Sequence, residues 1–399
     1  MSFALLVVVL VIALIAWLGY ALIRAPRLNR PLSVVAGVCL AVTLVVSVSW
    51  LVTGRFVKAM DAWRGYTAIA ASLLPVILYT LIGTLGIGLI NLIWSAGQAI
   101  AKAPKLEPDQ LRRTRRLRFV RVATVAVLIG SLGVTGYGYH ETRNVQISQT
   151  SVTSSLLPAA FDGFRIALLS DIHAGPGLGR DFVQGLVDQV NAEHPDLIVI
   201  AGDLSDGTPE QTGGDLLPLT TLSAPYGVLV TTGNHEFVQG AQAWLDWLNQ
   251  HGLVVLDNSG TILIKGDASI DVLGVNDRVG TPPHAPDLQE AADRLHANFG
   301  VPTDGAGRFR ILIAHEPLQV YSQGDLASKL GVDLQLSGHT HGGQLWPIGY
   351  VVTMQQPVLD GTHVLDGITV VTSRGAGSWG PPERVGAPPE IPIITLHRA

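Results

Sequence analysis

Cysteine is nearly absent from this chain: Cys39 is the only one in 399 residues. One thiol excludes an intrachain disulfide framework and any cysteine-based metal site. Charge is scarce as well, 14% of residues against 48% hydrophobic, a balance too oily for an ordinary soluble enzyme. What charge there is divides by sign. Residues 1–143 hold 15 Lys+Arg against 4 Asp+Glu, and residues 144–399 hold 11 against 27, a net of −16. A nucleic-acid enzyme carries a basic face on its binding domain. The second part has no basic run or stripe, so a nuclease is disfavoured and no nucleic-acid partner is expected. Ionisable residues are also nearly missing from the long apolar runs, which argues against a transporter. No internal repeat is visible.

The apolar residues are concentrated at the start. Residues 1–23 and 32–53 run without a charge, a third apolar stretch spans roughly 66–100, and a fourth runs over 122–139. About 20 apolar residues cross a bilayer as a helix. The runs therefore predict an α-helical transmembrane bundle of about four helices, an anchor over residues 1–140. A cleaved signal peptide followed by buried core helices is the rival reading. Against it, the first run lacks a basic start and a small-residue cleavage site, and three more runs follow. Pro75 and several glycines interrupt the third run, which predicts one long tilted helix or a helix with an interfacial extension.

Charge orients the bundle. The first connection carries Arg24, Arg27 and Arg30, and the third carries Lys102, Lys105, Arg112, Arg113, Arg115, Arg116 and Arg118. The second holds only Arg55, Lys58 and Arg64. Basic loops stay in the cytoplasm, so residues 24–31 and 101–118 are expected inside and both chain ends outside. The chain reads as a multi-pass cell-membrane protein with an extracytoplasmic catalytic part. An anionic-lipid contact by the arginine cluster would favour the same leaflet.

Residues 141–158, polar and Ser/Thr-rich, read as a linker or first strand. From 159 to 399 short apolar runs alternate with helix-like stretches. Residues 164–170, 197–201, 227–232, 309–314 and 334–337 read as buried strands, with further strand-like runs at 262–275, 363–372 and 391–396. Residues 180–192 and 241–251 have helical spacing, as do 288–299 inside the long 277–307 insertion. The mixture predicts a layered α/β sandwich, two central sheets flanked by helices.

The chemistry sits where those strands stop. The five runs end in Asp171-Ile172-His173, Gly202-Asp203, Gly233-Asn234-His235-Glu236, His315-Glu316 and Gly338-His339-Thr340-His341. Asp, His and Asn are the oxygen and nitrogen donors suited to Mn, Fe or Zn. In an extended segment residues i and i+2 point the same way, so Asp171 with His173, and His339 with His341, make chelating pairs. Each piece alone reads equally well as a turn or a hydrogen-bonded loop residue. Five in order, each after an apolar strand, define a site.

At these residues the sequence resembles the calcineurin-like metallophosphoesterases, whose pattern is D-x-H, G-D, G-N-H-[ED], H and G-H-x-H. The resemblance runs from about Phe164 to the C-terminus. Within that superfamily the chain looks like the membrane-attached or exported bacterial group typified by the YkuE and YaeI phosphoesterases. The residues carrying that finer match are 162–167, the Gly342-Gly343-Gln344 extension, Ser373-Arg374-Gly375 and Pro389-Glu390-Ile391. Where that group often has an aromatic, this chain has Thr362-His363.

The resemblance implies two metal ions. Asp171, His173, Asp203 and His341 would hold one, and Asp203, Asn234, His315 and His339 the other, with Asp203 and a hydroxide bridging. It also implies that His235 is the general acid. Glu236 and Asp206 are expected to position ligands or close turns. Arg374 and Arg384 remain open between substrate phosphate and the carboxylates Glu390 and Glu383. The expected activity is hydrolysis of a phosphate ester by metal-activated water. A lipid-linked diester or pyrophosphate is the leading substrate class, and a tethered broad-specificity phosphomonoesterase is the alternative.

Overall fold

The structure is a computed structural model that describes the backbone of residues 3–56, 61–100 and 109–399. Lys58, Lys102 and Lys105, counted above in the loop charges, lie outside the described residues. The chain divides into two compact units, residues 1–56 with 66–137, and residues 57–65 with 138–399.

Among the described residues four helices supply the first unit: α1 (Phe3–Gly19, continued by a π-helical turn, Tyr20–Arg24), α2 (Arg30–Phe56), α3 (Asp61–Ile100) from Tyr66 onward and α4 (Asp109–Thr142) as far as Tyr137. Asn29 caps α2 by accepting from the Leu32 amide at 3.1 Å, with Pro31 in the first turn, where a missing N–H costs nothing. The third apolar run is one 40-residue helix containing Pro75. Among the described residues three stretches are long and apolar enough to cross a membrane: Arg30–Trp50, Trp63–Gln98 and Gln110–Thr142. The described apolar stretch of the first helix, Val11–Arg24, is shorter. Apolar side chains gain nothing by leaving lipid for one another, so small residues and polar pairs hold such helices together. Here Gly83 leaves room for Val127 and Gly88 for Trp17. Trp17 donates to Thr84 at 3.1 Å and Thr80 to Ser131 at 3.1 Å.

The second unit runs β1 (Gln146–Ser154), β2 (Phe164–Leu169), α5 (Arg180–Ala192), β3 (Leu197–Ala201), α6 (Pro209–Leu216), β4 (Val228–Thr231), α7 (Asn234–Gln239), α8 (Ala241–Gln250), β5 (Val254–Val255), β6 (Ser259–Lys265) and β7 (Ala268–Gly274). It continues with α9 (Leu288–Phe299), β8 (Arg310–Ile313), α10 (Leu318–Ser322), α11 (Gly324–Lys329), β9 (Leu334–Ser337), α12 (Gly349–Val352), β10 (Gly361–Leu365), β11 (Ile368–Thr372) and β12 (Glu390–Arg398). Two six-stranded sheets result, ordered β1-β12-β2-β3-β4-β5 and β10-β11-β9-β8-β7-β6. The stretch read as a linker or first strand is thus a strand, pairing with β12 from Gln146↔Glu390 onward.

The strand runs are apolar throughout because each central strand is covered on both faces. Phe164, Ile166 and Leu168 of β2 point into the space between the sheets, against Ile311, Ile313 and Leu336. Their neighbours Ala167 and Leu169 face the other way, onto Val183, Leu186 and Val187 of α5. The second sheet is covered on its outer side by α9, α10 and α11, through Ala291, Leu295, Val320 and Ala327. The helix at 288–299 is therefore part of that outer layer. The runs at 262–275 and 363–372 are hairpins rather than single strands. Gly266 (φ 63°) turns the first, and Asp366-Gly367 (φ 51° and 82°) turns the second as a two-residue loop.

Strands β2, β3 and β4 are parallel, as are β7, β8, β9 and β11. Their C-terminal ends therefore open at one edge of each sheet, and every expected ligand follows such an end.

Candidate metal centre

The loops leaving β2, β3, β4, β8 and β9 bring the expected side chains into two adjoining groups. In one, His173 Nε2 lies 3.1 Å from His341 Nε2, and His341 Nε2 lies 3.4 Å from Asp171 Oδ1. In the other, His315 Nε2 is 3.2 Å from Asn234 Oδ1 and 3.2 Å from His339 Nδ1, and His339 Nδ1 is 3.0 Å from Asn234 Oδ1. Asp203 Oδ2 stands between them, 3.6 Å from His173 Nε2 and 3.2 Å from His315 Nε2. The donor atoms of Asp171, His173 and His341, and those of Asp203, His315 and His339, each lie within 4.8 Å of one another.

Two of the histidines are oriented as metal ligands. His173 Nδ1 faces Asp206 Oδ1 at 2.8 Å and His315 Nδ1 faces the Ala201 carbonyl at 2.7 Å. Each Nδ1–H is donated outward, which leaves the Nε2 lone pair aimed inward, the arrangement that orients histidine ligands. His341 differs. Its Nδ1 faces Arg384 Nη2 at 3.1 Å, and a guanidinium can only donate.

The extended-strand argument for the chelating pairs needs correction. Asp171 (φ 54°), His173 (φ 47°), Asp203 (φ 54°), His339 (φ 71°) and His341 (φ 52°) all adopt the left-handed conformation. Asp171 and His173 meet because the chain curls at the strand end, not because it alternates, whereas His339 and His341 fall in different donor groups and form no chelating pair. A non-glycine residue there costs about 1 kcal/mol or more, and such strain gathers at functional sites. Neighbouring glycines make room for the curl. A Cβ on Gly338 would lie 2.2 Å from Asp171 Oδ2, and one on Gly202 2.3 Å from the Gly233 nitrogen.

Surrounding groups hold the loops in place. Glu236 accepts from the amides of Asp203 (2.9 Å), Leu204 (2.8 Å) and Gly233 (2.7 Å), tying the second motif to the third. Burial and the Asp203 charge push its carboxyl up to about 7. Burial acts the same way on Asp203, but His315, His173 and His235 outweigh it and hold that carboxyl well below the usual range. Burial lowers His341, and His173 and Arg384 lower it further.

His235 lies beside this centre, its amide bonded to Asp203 Oδ1 at 2.8 Å. Its Nδ1 is 2.9 Å from Asp206 Oδ1, within ion-pair range though off the angle of a well-formed hydrogen bond. Burial opposes protonation of the ring, but Asp206, Asp203 and Glu236 prevail and raise it to about 9. Asp206 thus touches both His173 and His235, in keeping with the expectation that it positions site residues.

Of the two arginines, Arg374 pairs with Glu390 at 2.9 Å. Arg384 is fully buried and donates to main-chain carbonyls of Gly377, His341, Ala387 and Gly375. Thr362 and His363 lie exposed on edge strand β10. Sequence reasoning missed Asp277. It follows β7 as the expected ligands follow their strands, and is 2% exposed. Its Oδ2 has no hydrogen-bond partner among the described residues, and burial pushes the carboxyl up to about 6. The signal was a sixth strand end, but Asn276-Asp277 alone reads as a turn.

The model for the calcineurin-like phosphoesterase family matches residues 164–343. An uncharacterized metallophosphoesterase of Helicobacter pylori strain J99 is 34% identical over 289 residues, 71% of this chain and 72% of the relative. The uncharacterized metallophosphoesterase YkuE of Bacillus subtilis is 30% identical over 305 residues, 72% of this chain and 99% of YkuE. A zebrafish (Danio rerio) protein named as a transmembrane protein with a metallophosphoesterase domain is 30% identical over 286 residues, 69% of this chain and 63% of that one. The chain belongs to the calcineurin-like metallophosphoesterase family, whose members are metal-dependent phosphoester hydrolases. Like its transmembrane relatives, it joins that domain to apolar helices.

Proposed function

We propose that this protein is a multi-pass membrane phosphoesterase with a two-metal centre, acting outside the cytoplasm on phosphoester or pyrophosphate bonds of lipid-linked molecules, diesters in preference to monoesters. The observation that carries the metal count is the position of Asp203, whose Oδ2 faces both His173 and His315. Asp171, His173, Asp203 and His341 would hold one cation, and Asp203, Asn234, His315 and His339 the other, with Mn, Fe or Zn suited to these donors. Bound there, the pair would supply Lewis acidity and an activated water for in-line attack on phosphorus. The chain itself supplies the rest. Asp206 orients His173 and His235 together, and His235 is placed to give the leaving oxygen its proton. Glu236 keeps the Asp203 and Asn234 loops in register.

Two facts support the lipid reading. Helix α4 ends at Thr142 and β1 begins at Gln146, so a three-residue connection joins a membrane-length helix to the catalytic sheet. An extended residue reaches about 3.5 Å, so the connection itself adds only about 10 Å of chain between helix and sheet. The −16 balance of residues 144–399 disfavours long polyanions. The alternative is a tethered scavenging phosphomonoesterase, which the same centre would serve. The test assays full-length protein, reconstituted in bilayers with each candidate metal, on lipid-linked diesters, lipid monoesters and soluble esters. Lipid diesters should be turned over fastest. Equal rates on lipid and soluble monoesters would leave the scavenger standing.

A further inference from the structure

The Gly342-Gly343-Gln344 extension has no part in holding metals, yet it directly follows His341. Gly342 (φ 58°) and Gly343 (φ 81°) turn the chain back sharply, and Gly349 at the start of α12 packs so close to Gly343 that a Cβ there would lie 2.3 Å from its Cα. Gln344, itself buried, braces Trp379. Its Nε2 donates to the Trp379 carbonyl at 2.9 Å and its Oε1 accepts from the Trp379 amide at 2.9 Å. The loop it starts is pinned by Val385, whose carbonyl accepts from the Trp346 amide at 2.8 Å. The Trp379 ring in turn stands edge-on to the His235 ring, centroids 6.2 Å apart.

The outer surface of this loop is apolar and open. Trp346 is 57% exposed, Tyr350 74%, Met354 83% and Trp379 55%. Trp346, Tyr350 and Met354 follow one another at intervals of four. Residues 344–359 contain no charged residue and no histidine, in a domain that is otherwise strongly acidic. Exposed apolar surface of this kind marks a binding site. Here it begins at His235, the group placed to protonate a leaving group. An uncharged strip beside an anion-binding centre matches an amphiphile whose phosphate enters the centre and whose hydrocarbon lies alongside.

We propose that Trp379, Trp346, Tyr350 and Met354 form a shelf that takes the alkyl or isoprenyl tail of the phosphoester substrate. This rests on the amphiphile reading above and specifies which surface recognises the hydrophobic part. Gln344 is a positioning residue, since it holds Trp379 without facing the metal donors.

The test uses full-length protein in nanodiscs and a series of p-nitrophenyl phosphodiesters whose second ester is ethyl, butyl, octyl or dodecyl. A fully buried methylene strengthens binding roughly fourfold. On an open shelf that covers one side of the chain, kcat/KM should rise on the order of twofold per methylene. The double variant Tyr350→Ser, Met354→Ser alters two solvent-exposed side chains outside the core. Each protein's rates are normalised to its own ethyl ester, so only the slope with chain length is read. A steep slope in the natural protein that flattens in the double variant and in Trp346→Ala supports the shelf. A steep slope that persists unchanged in both overturns the shelf and leaves the amphiphile reading intact. No slope in the natural protein overturns both.

Discussion

Arg384 is the residue whose loss should separate the two halves of the metal centre. Its guanidinium is fully buried, and its Nε donates to the Gly377 carbonyl at 2.6 Å. Nη1 reaches the carbonyls of His341 (2.9 Å) and Ala387 (3.2 Å), and Nη2 that of Gly375 (3.3 Å). Gly377 and Ala376 in turn donate to the carbonyls of Asp171 and Ser170, at 2.8 and 2.9 Å. One side chain thus fastens the loops carrying Asp171 and His341 to each other. Arg384→Met keeps the unbranched stem as far as the position of Nε and removes every donor. A buried carbonyl left without a partner costs about 1–3 kcal/mol. Two of the four carbonyls, those of His341 and Gly375, also accept from the Gln344 and Glu390 amides; the other two, at about 2 kcal/mol each, give roughly 4 kcal/mol of local stability. Hydrogen exchange of the Gly377 amide in full-length protein reads that local opening directly, and 4 kcal/mol is about a thousandfold in rate. Metal analysis of the same variant should show loss of the cation expected at Asp171, His173, Asp203 and His341, with the other retained. Arg384→Lys, which keeps a cation and three donors, should fall between. If Gly377 exchange in Arg384→Met stays within tenfold of the natural protein and both metals remain, the fastening argument is wrong.

Three further outcomes are expected. Asp203→Ala should lower the occupancy of both metals and abolish turnover. His235→Ala should keep the metals and slow poor leaving groups most, because only those need a proton in the transition state; metal loss, or equal slowing of good and poor leaving groups, would sink its assigned role. Alkaline phosphatase fused after Arg143 should be active and a fluorescent protein fused there dark, placing residues 144–399 outside the cytoplasm, and the reverse pattern would overturn the orientation. Asp277 gives a pH signature in the metal-free protein. Its carboxyl is raised by burial from 3.8 to about 6, so the folded state holds this proton more tightly than the unfolded state. Its contribution to stability is greatest below about pH 4 and is lost as pH rises through about 6, by at most about 3 kcal/mol. Asp277→Asn should remove that slope and be the more stable protein at pH 7, as read by denaturant unfolding of the catalytic unit. A variant less stable than the natural protein at pH 7 would show that the ionised carboxylate is satisfied after all.

Legibility in the sequence followed the physics of burial. Residues 197–201 and 334–337 match their strands end to end, and 180–192 and 288–299 their helices. Strands covered on both faces are apolar without interruption, and amphipathic helices repeat their apolar face every turn. Hairpins escaped because Asp366-Gly367 needs only two residues, too short a break to interrupt an apolar run. The candidate site was legible by residue type and place, since Asp, Asn and His are donors suited to Mn, Fe or Zn and here follow the strand ends. Their backbone was not. Nothing in Asp-Ile-His declares a left-handed conformation, because the surrounding contacts that enforce it, such as the Glu236 carboxylate on the amides of Asp203 and Leu204, come from other motifs. The same reason hid Arg384, whose partners are carbonyls. A main-chain acceptor has no residue identity, so a side chain that works mostly through carbonyls leaves little pattern to read. Arg374 and Arg384 therefore looked interchangeable in the sequence, while the structure gives one a carboxylate partner near the surface and sets the other against His341 itself. That contrast makes Arg384 the more informative of the two to mutate.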